Sequence, residues 1–233
     1  QRGIDTYEKA KDFFRPQLSH LHSPWLMKDM DIAVSRIRQA FQQKEKILVY
    51  GDYDVDGATS SALLHRFFRA LGVPIALYIP DRIKEGYGPN IAGIQKFIRE
   101  GYTVMVTVDC GTTSFDAIEA ATGMDVIVLD HHAPEAKLPK AYALINPNRL
   151  DEDPVTTQTL GHLAAVGISF LCVVALNRTL RDAGFYEARQ EPDLLSLLDL
   201  VALGTVCDVM PLTGLNRTFV SQGLKVMAQR QNI

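Results

Sequence analysis

Three acids spaced two apart open the chemistry of this chain: Asp52, Asp54 and Asp56, in Gly51-Asp52-Tyr53-Asp54-Val55-Asp56-Gly57. Carboxylates this close repel one another, and all stay ionised only beside a strong positive partner. A divalent cation suits that role, because carboxylate oxygens bind Mg, Ca and Mn. The same spacing opens an EF-hand loop, which also needs a bidentate Glu at its twelfth position. Counting from Asp52, that position is Leu63, and the run before the acids reads as strand, not helix. The EF-hand is therefore rejected. A plainer alternative is a turn in which one Asp caps the next helix.

Two more acids stand in the same setting. Thr103-Val104-Met105-Val106-Thr107-Val108 runs into Asp109-Cys110-Gly111-Thr112, and Asp125-Val126-Ile127-Val128-Leu129 runs into Asp130-His131-His132. Asp109 by itself reads as a helix cap or a ligand. Adjacent residues leaving a strand point opposite ways, so one of His131 and His132 is expected as a ligand and the other behind it or on substrate. A surface or core His pair is the alternative. Far downstream, Asp208 sits in the apolar stretch Gly204-Thr205-Val206-Cys207-Asp208-Val209-Met210. A buried acid is costly unless paired or coordinated, so Asp208 reads as a ligand, or else as a cap or ion-pair member. Mixed carboxylate and imidazole donors favour Mn²⁺, with Mg²⁺ as the other choice. So many donors suggest two ions, which in phosphoryl chemistry sit about 3.5–4 Å apart, activate a water and stabilise the leaving oxygen.

Candidates for holding substrate are fewer. Arg82 and Lys84 suit a phosphate, and Tyr87 suits stacking on a base. Asn146 and Arg149 follow the fifth strand in the same way, and His162 lies in Gly161-His162-Leu163-Ala164-Ala165-Val166-Gly167. Each also reads as part of a solvated loop or an exposed face.

The elements that must position these residues alternate. Strands are expected at 47–50, 74–79, 103–108, 125–129 and 142–145. Helices are expected at 57–71, 89–100, 113–121, 161–183, 192–203 and 216–230. Such alternation implies βαβ units with right-handed crossovers. The expected fold is α/β, a five-stranded mostly parallel sheet flanked by helices, with further C-terminal helices. Ligands of open α/β sheets lie at the carboxyl edge of the strands, where the acids fall. Residues 1–45 read as a helical leader, with Asp31 as cap and Ala33, Ile37, Ala40 and Phe41 as the apolar face. Residues 46–215 read as the catalytic domain and 216–233 as the start of a linking helix.

Composition is that of an ordinary globular protein, 47% hydrophobic and 22% charged, with net charge −3. No polybasic run advertises nucleic-acid binding, so a polyanion needs a local patch, a bound metal or parts outside this chain. The three cysteines, Cys110, Cys172 and Cys207, are scattered without metal spacing and read as reduced thiols of a cytoplasmic protein. The longest apolar run, Ala164–Leu176, is shorter than the roughly 20 residues that span a bilayer. No membrane partner and no signal peptide is expected. The chain opens on Gln1 and ends inside a helical pattern, which reads as a piece of something longer.

Taken together, these residues resemble the DHH phosphoesterase superfamily, and within it the bacterial single-stranded-DNA exonucleases. The resemblance rests on Arg2-Gly3-Ile4-Asp5-Thr6, Gly51–Gly57, Gly86-Tyr87-Gly88, Val106–Asp109, Asp130-His131-His132, Ile145-Asn146-Pro147-Asn148 and Leu200–Val209. It implies that Asp54, Asp56, Asp109, His131 and Asp208 bind two Mn²⁺ or Mg²⁺ ions, with Asp109 between them. Asp52, Asp130 and His132 would complete the surroundings or touch the scissile phosphate. The implied activity is 5′→3′ hydrolysis of single-stranded DNA to 5′ mononucleotides in DNA recombination and repair, alongside other repair and recombination proteins. Another phosphoesterase of the superfamily, acting on short oligonucleotides, cyclic dinucleotides or pyrophosphate, is the near alternative. A replication scaffold that keeps the fold without its ligands is the distant one. Two departures stand out. Cys110 replaces an Asn common after this Asp, and the DHHA1 and OB-type domains that follow in these exonucleases are not in this sequence.

Overall fold

The computed structural model describes residues 4–229. Arg2 and Gly3 of the first resembling stretch, and position 230 of the last expected helix, lie outside the described residues. In chain order the elements are α1 (Tyr7–Phe14), α2 (Met30–Gln43), β1 (Lys46–Gly51), α3 (Val55–Ala70), β2 (Ile75–Tyr78), α4 (Ile91–Arg99) and β3 (Tyr102–Val108). They continue with α5 (Phe115–Glu119), β4 (Asp125–Leu129), β5 (Ala143–Ile145), α6 (Pro154–Leu160), α7 (Ala165–Asp182), α8 (Leu198–Cys207) and α9 (Gly214–Ala228).

The five strands pair in the order β2-β1-β3-β4-β5, and every pairing is parallel. Alternate side chains leave opposite faces of a strand, and both faces here are covered, as an all-parallel sheet requires. Ile47 and Val49 of β1 join the larger core with α2, α3 and α7. Leu48 and Tyr50 point the other way, into a smaller core with Ile94 and Phe97 of α4 and Ala117 and Ile118 of α5.

Register sets the site. Gly51 pairs with Val108, Val108 with Leu129, and Leu129 with Ile145. The next residue on each strand is therefore level with its neighbours: Asp52, Asp109, Asp130 and Asn146. The ladder runs one step beyond the strands, from Asp52 N to Val108 O (3.2 Å), Asp109 N to Leu129 O (3.0 Å) and Asp130 N to Ile145 O (3.1 Å). Strand order reverses between β1 and β3, and such a switch point opens a crevice at the carboxyl edge.

Some expectations shift. Helix α2 begins at Met30, so Asp31 sits in its first turn and Asp29, in left-handed conformation, takes the cap position. Asp29 does not cap; its carboxylate accepts from Leu144 N and Arg149 instead. The helix expected from 161 starts at Ala165, because the Asp56 carboxylate fixes that start. The helix expected over 192–203 is a short 3-10 turn, Leu194–Leu197, followed by α8, which runs on to Cys207. Helix α6 is an addition to the expected elements, although Asp153-Pro154 carries the signal: the Asp153 side chain accepts from Val155 N, and Pro154 occupies the first turn.

Candidate metal centre

Helix α3 starts directly on the end of β1. A Cβ on Gly57 would lie 2.5 Å from Asp52 O, so only glycine lets the helix turn in so closely. Asp54 caps α3, its Oδ1 accepting from Gly57 N at 3.0 Å, so this one acid acts as a cap through one oxygen and also belongs to a donor group with Asp52 and Asp109. Asp52 is 3% exposed and Asp56 1% exposed. The Asp56 oxygens accept the amides of Ala165 (2.6 Å) and Val166 (2.9 Å). These are unsatisfied N–H groups of the α7 N-terminus, where negative charge is favoured.

Helix α8 brings the last acid. Gly204 lets it pack against α3: a Cβ there would meet Thr59 Oγ1 at 2.4 Å and Asp56 Oδ1 at 3.0 Å. Asp208 follows one turn later at the helix end. Beyond it, Met210 N bonds Thr205 O (3.2 Å) and Val209 N bonds Val206 O (3.1 Å). This is the Schellman closure, usually made with glycine in left-handed conformation; here that residue is Val209, with φ 56°.

These elements converge on one imidazole. His131 Nε2 lies 3.3 Å from Asp109 Oδ1, 3.6 Å from Asp208 Oδ2 and 3.9 Å from Asp56 Oδ2. Three overlapping donor groups result: Asp56, His131 and Asp208; Asp109, His131 and His132; Asp52, Asp54 and Asp109. Donor atoms within each group lie within 4.8 Å of one another. Both oxygens of Asp109, His131 Nε2 and Asp208 Oδ2 are buried without a hydrogen-bond partner. Buried polar atoms are normally bonded, and oxygen and imidazole donors in this number fit divalent cations. Burial foremost, then the neighbouring Asp56 and Asp54, pushes the Asp109 carboxyl up to about 10. Burial likewise raises Asp56 to about 6 and moves Asp208 upward. Asp109 also adopts a left-handed backbone, φ 62°, which costs a non-glycine residue about 1–3 kcal/mol.

A polar layer beneath holds the two histidines. Asp130, 1% exposed, accepts from Thr112 N (2.9 Å), His131 N (2.8 Å), His132 N (3.2 Å) and His132 Nδ1 (2.7 Å). These bonds outweigh burial and hold its carboxyl down at about 2. The bond to Asp130 lifts His132 to about 9. Asn146 Nδ2 donates to His132 O (2.8 Å) and Asn148 Nδ2 to His131 O (2.7 Å). A Cβ on Gly161 would fall 2.6 Å from Asn148 Oδ1, so the clamp also needs a glycine facing it.

The residues expected to hold substrate divide. Tyr87 lies at the centre, its hydroxyl donating to Asp109 O at 3.1 Å. Arg82 stacks over the Tyr53 ring at 4.8 Å, and Tyr53 packs edge-on to Tyr87, forming one side of the acidic cluster. Lys84 is largely exposed and pairs with Asp81 at 3.9 Å. Asn146 is fully buried and serves the His132 carbonyl. Arg149 is committed elsewhere: its guanidinium bonds Asp29, Asp151 and Leu144 O, tying the leader to the end of β5. The His162 ring abuts Gly214 rather than joining the cluster, and burial lowers its pKa. Sequence reasoning misses Tyr53 and Asn148. The first is hidden between two acids, and the second's role depends on a turn that no pattern predicts.

The DHH family, N-terminal domain, matches residues 46–205. A Bacillus subtilis (strain 168) protein described as single-stranded-DNA-specific exonuclease RecJ is 37% identical over 227 residues, covering 97% of this chain and 27% of its own length. The Escherichia coli (strain K12) protein of that description is 41% identical over 207 residues, 86% of this chain and 35% of that protein. The chain thus spans about a quarter to a third of these relatives. A crystal structure of exonuclease RecJ bound to manganese superposes with a TM-score of 0.74 at 32% identity, covering 90% of this chain and 49% of that one. RecJ from Thermus thermophilus in complex with Mn²⁺ gives 0.71 at 30% identity, covering 92% of this chain and 29% of that one.

Proposed function

This chain belongs to the DHH family, and from that premise we propose that it is the hydrolytic core of a metal-dependent exonuclease that degrades single-stranded DNA from its 5′ end. The observation that carries the reading is the set of three donor groups that overlap at His131 and Asp109, with buried and unpartnered atoms on Asp109, His131 and Asp208. The names of the relatives supply the substrate class.

In this reading Asp54, Asp56, Asp109, His131 and Asp208 would hold two Mn²⁺ or Mg²⁺ ions. Bound there, the ions provide Lewis acidity for the attack of water on a phosphodiester. The chain's own groups do the rest. The bond to Asp130 favours a proton on His132, whose other ring nitrogen, 3.5 Å from the Tyr87 hydroxyl, offers a donor to a phosphate oxygen. Arg82, stacked on Tyr53, offers a cation on the same side. Asp52 adds negative charge beside Asp54 and Asp109. The enzyme works in the cytoplasm, with repair and recombination proteins as partners. Among the described residues no single helix is long and apolar enough to cross a membrane.

The test is mononucleotide release from a 3′-labelled single strand with Mn²⁺, Mg²⁺ or chelator. Metal-dependent shortening from the 5′ end is expected. Hydrolysis indifferent to chelator, or faster cleavage of dinucleotides or pyrophosphate than of long strands, overturns the reading.

A further inference from the structure

Residues 81–90 form an arch tied down on both sides. At its start Glu85 accepts from Asp81 N (2.8 Å) and from the Tyr78 hydroxyl. At its end Tyr50 OH donates to Gly88 O (3.1 Å) and accepts from Asn90 Nδ2 (3.0 Å), while Asn90 caps α4 through Gly93 N (2.7 Å). Between these ties stands Gly86-Tyr87-Gly88, both glycines in left-handed conformation, φ 81° and 73°. A Cβ on Gly88 would lie 3.5 Å from Ser114 Oγ and 3.7 Å from Cys110, so the arch rests on the loop that leaves β3. The Tyr87 hydroxyl reaches the carbonyl of Asp109 at 3.1 Å. Asp109 is itself held in left-handed conformation, φ 62°, and its carboxylate is the one closest to His131 Nε2.

We propose that Tyr87 is a positioning residue for Asp109: its hydroxyl anchors the Asp109 carbonyl in the reversed backbone that aims the Asp109 carboxylate at His131. The role belongs to the hydroxyl. The ring, half exposed between Tyr53 and His132, is a separate surface. The inference rests on the reading of Asp109 as a metal ligand. Partners that orient ligands typically carry about 10–100-fold in metal affinity or activity.

The experiment is Mn²⁺ titration by calorimetry on wild-type chain, Tyr87→Phe and Gly88→Ala, with kcat and KM on a single-stranded substrate. Tyr87→Phe keeps the ring and removes the anchor. It is expected to bind Mn²⁺ about tenfold more weakly and to lose kcat at unchanged KM, with a melting point in chelator equal to wild type. Gly88→Ala keeps the hydroxyl but strains the arch, and reproduces the loss. Wild-type Mn²⁺ affinity and kcat in Tyr87→Phe, or a change in KM alone, overturns the proposal and leaves the ring as a stacking surface. A wild-type chain that binds no Mn²⁺ overturns the metal reading itself, a failure the variants do not imitate.

Discussion

Asp56 and Asp109 approach the same ring nitrogen of His131, at 3.9 and 3.3 Å, but the chain supports them in opposite ways. Asp56 accepts two main-chain amides of α7, so its negative charge also stabilises a helix N-terminus. Both oxygens of Asp109 are buried without a partner, so nothing in the chain favours its ionised form until a cation arrives. Replacing the two acids should therefore move stability in opposite directions.

Asp109→Asn removes the cost of keeping a carboxyl protonated in the fold and keeps the shape, and asparagine tolerates the left-handed backbone. Without metal the variant should be more stable than wild type by roughly 1–3 kcal/mol near neutral pH, while hydrolysis disappears. Asp56→Ala should lose about 1.5–3 kcal/mol, the worth of hydrogen bonds to a charged group, as well as activity. Chelator melts of both variants check this; a destabilised Asp109→Asn would contradict it.

Stability of the metal-free chain should fall as pH rises. His132 is raised from 6.5 to about 9, so its contribution is complete below 6.5 and is lost as pH passes 9. Asp130 is lowered from 3.8 to about 2, so its share is present above 3.8 and fades only as pH falls through 2. Asp109 is raised from 3.8 to about 10, so burying it grows more costly over that whole interval. His132 and Asp109 both predict a higher melting point near pH 6 than near pH 9 in chelator, while the share of Asp130 is the same at both. Saturating Mn²⁺ should narrow the gap, because the ion replaces the proton on Asp109. Binding should then release protons, seen as a calorimetric enthalpy that varies with the buffer.

Asn148→Ala frees the His131 carbonyl without touching any carboxylate. A fall of about 10–100-fold in Mn²⁺ affinity is expected, with only modest loss of stability. Unchanged affinity would mean that Asp130 and Asn146 are enough to hold the His131-His132 loop.

Val209→Gly should stabilise the chain. Val209 is 86% exposed and closes α8 at φ 56°, so little packing is lost and a left-handed conformation costing about 1–2 kcal/mol is relieved. Urea unfolding measures the gain directly.

Most of the sheet is legible in the sequence because its strands are short apolar runs ending in acids, and Ile47–Tyr50, Thr103–Val108 and Asp125–Leu129 carry that pattern plainly. The convergence of Asp52, Asp109 and Asp130 follows from strand ends alone. What is not legible depends on long-range partners. Nothing local places the start of α7 at Ala165; a carboxylate 109 residues earlier does. Arg149 looks free for phosphate because Asp29, 120 residues away, is invisible beside it in sequence. Asn146 likewise has the chemistry of a substrate contact, but its amide is spent on the His132 carbonyl.

The level row formed by Asp52, Asp109, Asp130 and Asn146 has a kinetic corollary. These residues become neighbours only when β1, β3, β4 and β5 are all paired in register, and a one-residue slip turns a strand's side chains to the wrong face. Parallel pairing between distant segments is slow to form. Tight metal uptake during refolding should therefore lag behind helix formation and report the last strand to dock, making the ion a clock for completion of the sheet rather than a seed for it.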